Sequence, residues 1–162
     1  LGPATVILAV PLYKQLSLLK KNLFPIITGV LTGSVFALIA IGVMSKIFDF
    51  DQVLTASLLP KSVTMPIGIE VAESLGGISS ITVISIVVTG IIGAVFAEKI
   101  LKLFKIEDKV AQGISIGTAS HALGTTKAIE MGEVQGGMSG LAIGLAGFFT
   151  ALLAPFILKL FF

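Results

Sequence analysis

The residues with chemical capacity gather in two stretches of an otherwise apolar chain. Gly117 to Glu133, GTASHALGTTKAIEMGE, holds the single histidine, His121, among small and hydroxyl-bearing residues. Sixty positions earlier lies Ser57 to Glu73, SLLPKSVTMPIGIEVAE, in which Lys61 stands between Pro60 and Pro66. Neither stretch has the parts of an enzyme. The chain has no cysteine, no nucleophile beside a base, no phosphate-cradling glycine loop and no metal-ligand spacing. It is therefore read as non-enzymatic, with no cofactor and no metal.

What these residues offer is a seat for a small anion. The ammonium of Lys61 supplies charge. Ser62, Thr64, Ser120, Thr125 and Thr126 supply hydroxyls, and Gly124 lets a ligand approach the backbone. A half-helix leaving each stretch would turn its N-terminus, with free N–H groups and a positive dipole end, toward the same point. Pro66 suits the first turn of such a helix, where a missing N–H costs nothing. Thr64 and Thr125 are placed to cap the two half-helices. His121 titrates near neutrality and is the first choice for carrying a coupling proton, with Glu130 the second. Plainer roles stand beside these. Lys61 can run its stem along an apolar surface and hold its charge in water. His121 can be a hydrogen-bonded packing residue. Glu70, Glu73, Glu130 and Glu133 can be turn or helix-end charges.

The elements that would position these residues follow from run lengths. The 162-residue chain is 55% hydrophobic and 12% charged, with a mean hydropathy of +1.07. Soluble domains carry about 25% charged residues, so this is an integral membrane protein in contact with the lipid bilayer. Spanning helices need about 20 apolar residues. Three uncharged runs qualify: 22–45, 74–97 and 134–158. The runs 52–60, 62–69 and 110–126 are too short or too interrupted, and fit half-helices that meet at mid-membrane. Non-helical backbone survives at that depth only where protein buries it or a cavity borders it. The chain opens on Leu1 with LGPATVILAVPLY, which lacks the basic start of a secretory signal. It reads as beginning partway into a membrane segment, with further N-terminal spans upstream and Tyr13 beside Lys14 as an interfacial anchor.

An internal repeat reinforces the pattern. At an offset of 60, Ile69, Glu70, Glu73, Gly76, Gly77 and Ser79 match Ile129, Glu130, Glu133, Gly136, Gly137 and Ser139. The units 57–102 and 117–162 each read as a broken segment, an acidic turn, a Gly-Gly pair that turns into the next element, and a long span. Lys14, Lys20 and Lys21 form one basic loop; Lys99, Lys102, Lys105 and Lys109 form another. Lysine-rich loops favour the cytoplasm. With both inside, the broken segments are re-entrant hairpins dipping from opposite faces, the inverted-repeat build of secondary transporters. Full crossings are the competing arrangement. Eleven lysines without arginine, spread over loops, do not make a nucleic-acid surface. The glycine pairs Gly29/Gly33 and Gly140/Gly144 suit close helix packing.

The segments LGPATVILAVPLYKQ, SLLPKSVTMPIGIEVAESLGGI, GTASHALGTTKAIEMGEVQGGMSGLA and APFI together resemble the LrgB/CidB family over essentially the whole chain. The resemblance implies a multi-pass protein of the bacterial inner (plasma) membrane. It also implies antiholin-like control of murein hydrolase activity and cell lysis, beside a smaller LrgA/CidA-type membrane partner. Plastid relatives in that family translocate glycolate and glycerate, and bacterial ones are associated with short monocarboxylates. The combined expectation is an all-α membrane protein of inverted repeats with elevator-like movement, working as a homodimer. It would carry pyruvate, glycolate or lactate, with proton coupling. The alternative is an antiholin-like regulator that acts through a holin-like partner.

Overall fold

The computed structural model describes residues 20–162; the expected apolar opening and the Tyr13–Lys14 anchor lie outside them. Among the described residues the chain folds into helices alone: α1 (Leu23–Ile47), α2 (Gln52–Leu58), α3 (Met65–Ser74), α4 (Ser79–Leu103), α5 (Lys109–Met131) and α6 (Glu133–Phe161). Three of them, α1, α4 and α6, are long and apolar enough to cross a membrane. At 25 residues, α1 and α4 extend about 38 Å at 1.5 Å per residue, past a hydrocarbon core of about 30 Å.

Two boundaries differ from the run-length expectation. Helix α4 continues beyond Ala97 through Glu98, Lys99 and Lys102 to Leu103. Charges end an apolar run, not a helix, and Glu98 and Lys102 stand one turn apart on its surface. Gly136 and Gly137 are not a turn but buried residues inside α6. The turn falls earlier, at Gly132 (φ 157°, ψ 165°), in a backbone region open almost only to glycine. The matching pair earlier in the chain does turn: Gly76 has φ 79° and leads into α4.

Helices α2 and α3 form a hairpin against α4. Ser57 Oγ accepts from the Ile78 N–H at 2.7 Å, and Thr82 Oγ1 donates to the Ser57 carbonyl at 2.8 Å. Farther along, Gly68 lies against Pro60 and the Ile86 side chain, and Ala72 has returned beside Gly77. Both ends of this hairpin therefore sit at the start of α4, and its tip, residues 59–64, reaches toward Ile86.

Helix α5 is a second hairpin. Its hydrogen-bonded run is interrupted at His121, which takes φ 42° and ψ −138°. Eight residues of straight helix would separate Ile116 from Gly124 by about 12 Å. Instead, a methyl built on Gly124 would lie 3.3 Å from the Ile116 carbonyl oxygen, and Ile116 shares a core cluster with Ala128. The chain doubles back at His121. The base of this hairpin packs on Ala97, Leu101 and Ile106, at the far end of α4.

Helix α6 backs both arms of α5. Gly113 and Gly117 of the first arm press on Gln135 and Ser139, and Ile129 of the second arm meets Gly136. Helix α1 lies beside α6 and runs in the same direction. Its Ile26 and Val30 pack with Met138, Ala142 and Ala146, and its Gly42 touches Phe161. The start of α1, with Asn22 and Pro25, borders the same cavity as Ile106 and Asp108. Lys20 and Lys21 thus share one end of the bundle with the basic loop around Lys105.

Candidate functional site

The tip of the first hairpin is made by a helix end and a helix start. Helix α2 stops at Leu58, and the chain turns with Lys61 N–H donating to the Leu58 carbonyl at 3.1 Å and Val63 N–H to Pro60 at 3.3 Å. Thr64 is extended and occupies the N-cap position of α3, but its side chain makes no capping bond. Pro66 lies in the first turn, where the missing N–H leaves no vacancy in the helix. Lys61 is half-buried, and its Nζ donates to Ser62 Oγ at 3.1 Å. Ser62 itself is 9% exposed.

These two residues face the first arm of the second hairpin across a cleft of about 350 Å³. Thr118 and Ala119 form the opposing wall, and Gly33 and Ala37 of α1 form a third side. The sequence reading did not single out Thr118 or the α1 wall. The GTASHALGT stretch and the Gly29/Gly33 pair were the available signals. Gly33 matters through close approach: a methyl there would stand 2.9 Å from Thr118 Cγ2. The cleft offers one ammonium and three hydroxyl-bearing residues, Ser62, Ser115 and Thr118, within an apolar frame. That is a chemistry suited to a small anion whose body carries few polar groups.

The tip of the second hairpin turns elsewhere. His121 is 2% exposed, and its Nε2 lies 2.9 Å from the Ile86 carbonyl oxygen of α4. A carbonyl only accepts, so Nε2 carries the proton and Nδ1 is the atom free to gain one. The ring fits because α4 has Gly90 there, and Ser120 is in direct contact with Gly93 one turn on. Thr125 is not a cap. Its hydroxyl bonds the His121 carbonyl at 2.9 Å and Ser139 Oγ at 2.7 Å, tying the second arm to α6.

The predicted residues therefore separate into three places. Lys61 and Ser62 border the cleft, while Thr64 stands two residues on at the N-cap of α3 and does not line it. Ser120, His121, Gly124 and Thr125 are buried in the packing of the second tip, with Gly124 closing the hairpin on Ile116. Thr126 and Glu130 are exposed, away from both. Thr126 bonds the Leu123 carbonyl, and Glu130 pairs with Lys127 at 3.2 Å. Lys127 also reaches Glu98 of α4 at 2.8 Å, a link between the second hairpin and α4 that spacing did not reveal. Lys61 and His121 stand at equivalent repeat positions, 60 apart, and each occupies a hairpin tip.

Comparison with known proteins places this architecture. Residues 1–160 match the LrgB-like family. A protein of Bacillus subtilis (strain 168), named uncharacterized protein YxaC, is 40% identical over 161 residues, covering 99% of this chain and 70% of the relative. A second protein of that organism, YwbG, is 38% identical over 159 residues, covering 98% of this chain and 71% of the relative. Antiholin-like protein LrgB of Bacillus cereus (strain B4264) is 36% identical over 155 residues, covering 96% of this chain and 67% of the relative. No solved structure matches. With a family match over nearly its whole length and three helices fit to span a bilayer, the chain is a membrane protein that belongs to the LrgB-like family.

Proposed function

We propose that the chain is a secondary transporter of small monocarboxylates of the pyruvate, glycolate and lactate type, working by alternating access in the bacterial inner membrane. The observation that carries this reading is the cleft between the tip of the first hairpin and the first arm of the second, with Lys61 and Ser62 on one side and Thr118 on the other. A protein that only docks on partners gains nothing from breaking its own membrane helices, because every freed backbone group must be satisfied again inside the bundle.

The units 57–102 and 117–162 serve as inverted repeats: one hairpin has its base at the start of α4, the other at its end. The carboxylate binds Lys61 and Ser62, aided by Thr64 and the α3 N-terminus. His121, which holds one fixed proton on Nε2, takes the coupling proton on Nδ1. Glu130 is the weaker candidate, since it already pairs with Lys127 in the open. Ser120, Gly124, Thr125 and Thr126 shape and hold the second tip, and meet the ligand only as the hairpins slide. Movement is elevator-like, against a scaffold that includes a second copy of the chain.

The second reading is an antiholin-like membrane regulator of murein hydrolase activity and cell lysis, acting through an LrgA/CidA-type partner. The name of the Bacillus cereus relative favours it, and none of the relatives described above is named for transport. It predicts that Lys61 is dispensable, and His121 too beyond its structural bond to Ile86, while the glycine packing faces matter.

Uptake of labelled pyruvate and glycolate into proteoliposomes holding the full-length protein separates the two. A pH gradient is imposed, with Lys61→Ala and His121→Ala measured alongside. Transport predicts gradient-driven uptake that both substitutions abolish. Folded protein with no uptake above empty liposomes decides for the regulator.

A further inference from the structure

Among the described residues two buried hydroxyl oxygens have no hydrogen-bond partner, Ser34 Oγ and Thr118 Oγ1. Thr118 is the one that lines the cleft, and it is 7% exposed. A hydroxyl on a helix in an apolar setting has an easy solution: it donates to the carbonyl three or four residues back. Thr28, Thr32, Ser85 and Thr126 all do so, and so does Ser115, one turn before Thr118 on the same arm. Thr118 does not. A buried hydroxyl left unpaired costs about 1–3 kcal/mol, and such a group calls for an explanation.

We propose that Thr118 is the residue by which the cleft selects acids carrying an oxygen on carbon 2, hydroxyl or keto, over plain carboxylates of the same length. This rests on the transport reading of the same site. An acid whose carboxylate meets Lys61 and Ser62 spans the cleft toward the first arm of the second hairpin, where Thr118 stands. A threonine hydroxyl both donates and accepts, so it pairs with a keto oxygen as donor and with a hydroxyl in either role. The methyl of Thr118 now faces Gly33, and one step about χ1 carries the hydroxyl to the place of the methyl while the methyl moves to that of Hβ. A plain acid would leave the hydroxyl unpaired on binding, which is how sites built around a polar group reject the analogue that lacks it.

The test compares uptake of labelled lactate with that of labelled propionate, the same three-carbon skeleton without the hydroxyl, in proteoliposomes of the full-length protein. The wild type favours lactate. Thr118→Val, which keeps the shape and removes the hydroxyl, lowers the lactate-to-propionate ratio about tenfold, and Thr118→Ser retains it. Thr118→Ala reads the same way if the valine variant does not insert. An unchanged ratio in an active Thr118→Val protein, or no preference in the wild type, overturns the role of Thr118 alone. A folded wild type that moves neither acid overturns the transport reading, and this inference with it.

Discussion

His121 and Ile86 join the two hairpins at one point of α4. The imidazole Nε2 of His121 donates to the Ile86 carbonyl at 2.9 Å, while the Ile86 side chain packs on Gly68 of the other hairpin. His121 is thus a structural residue before it is anything else. Replacing it with alanine removes the donor and leaves a cavity at the only non-helical point of α5. His121→Ala is expected to lose about 2–4 kcal/mol of stability. His121→Gln, which keeps an N–H donor, should lose clearly less. Thermal unfolding in lipid nanodiscs measures both. Equal melting of His121→Ala and wild type would remove the bond from any account of the fold.

The fit of the second tip into α4 gives a second expectation. A methyl on Gly93 would overlap Ser120 directly. Gly93→Ala should destabilise by about 1–3 kcal/mol through overpacking, and adding Ser120→Gly should recover at least half of that loss. Strict additivity of the two changes would mean that the contact is relieved some other way.

Much of this arrangement was legible in the chain. The spans announce themselves because a bilayer admits only long apolar helices, and both breaks fell where Lys61 and His121 interrupt the apolar runs. The repeat offset of 60 pairs those two residues, and the structure sets each at a hairpin tip. What stayed hidden depends on three dimensions. Run length cannot say that α4 passes through Glu98, because a charge at a membrane interface continues a helix at little cost. Spacing cannot say that Thr118 rather than Thr125 borders the cleft. That follows from a single reversal at His121, which turns Ser120, His121 and Thr125 toward α4 and α6. Nor can it pair Lys127 with Glu98, residues 29 apart on elements that meet only after the chain has doubled back.

Thr125 and Ser139 test how firmly the second hairpin is held to α6. Thr125 gives its proton to the His121 carbonyl, so in the 2.7 Å contact Ser139 is the donor. Interhelical hydrogen bonds within a bilayer average about 0.6 kcal/mol and reach about 1.7. A double-mutant cycle of Thr125→Val and Ser139→Ala should give a coupling of about 0.5–1.5 kcal/mol in the same unfolding assay. A coupling near zero would show that the second arm is held by packing of Ile129 on Gly136 alone.

Whether the first hairpin dips into the membrane or crosses it can be settled by labelling, since the chain has no native cysteine. Gln52 at the start of α2 and Ser74 at the end of α3 border one cavity with Lys159 and Phe162, so the two ends of the hairpin lie together. Gln52→Cys and Ser74→Cys, made singly, should react with a membrane-impermeant maleimide from the same face. Lys105→Cys, at the lysine-rich end of the bundle, should react only from the opposite, cytoplasmic face. Reaction of Gln52→Cys and Ser74→Cys from opposite faces would mean a full crossing, which would remove the shared tip from mid-membrane and with it the seat for a carboxylate. Reaction of Lys105→Cys from the outside alone would keep the hairpins and reverse the orientation of the whole bundle.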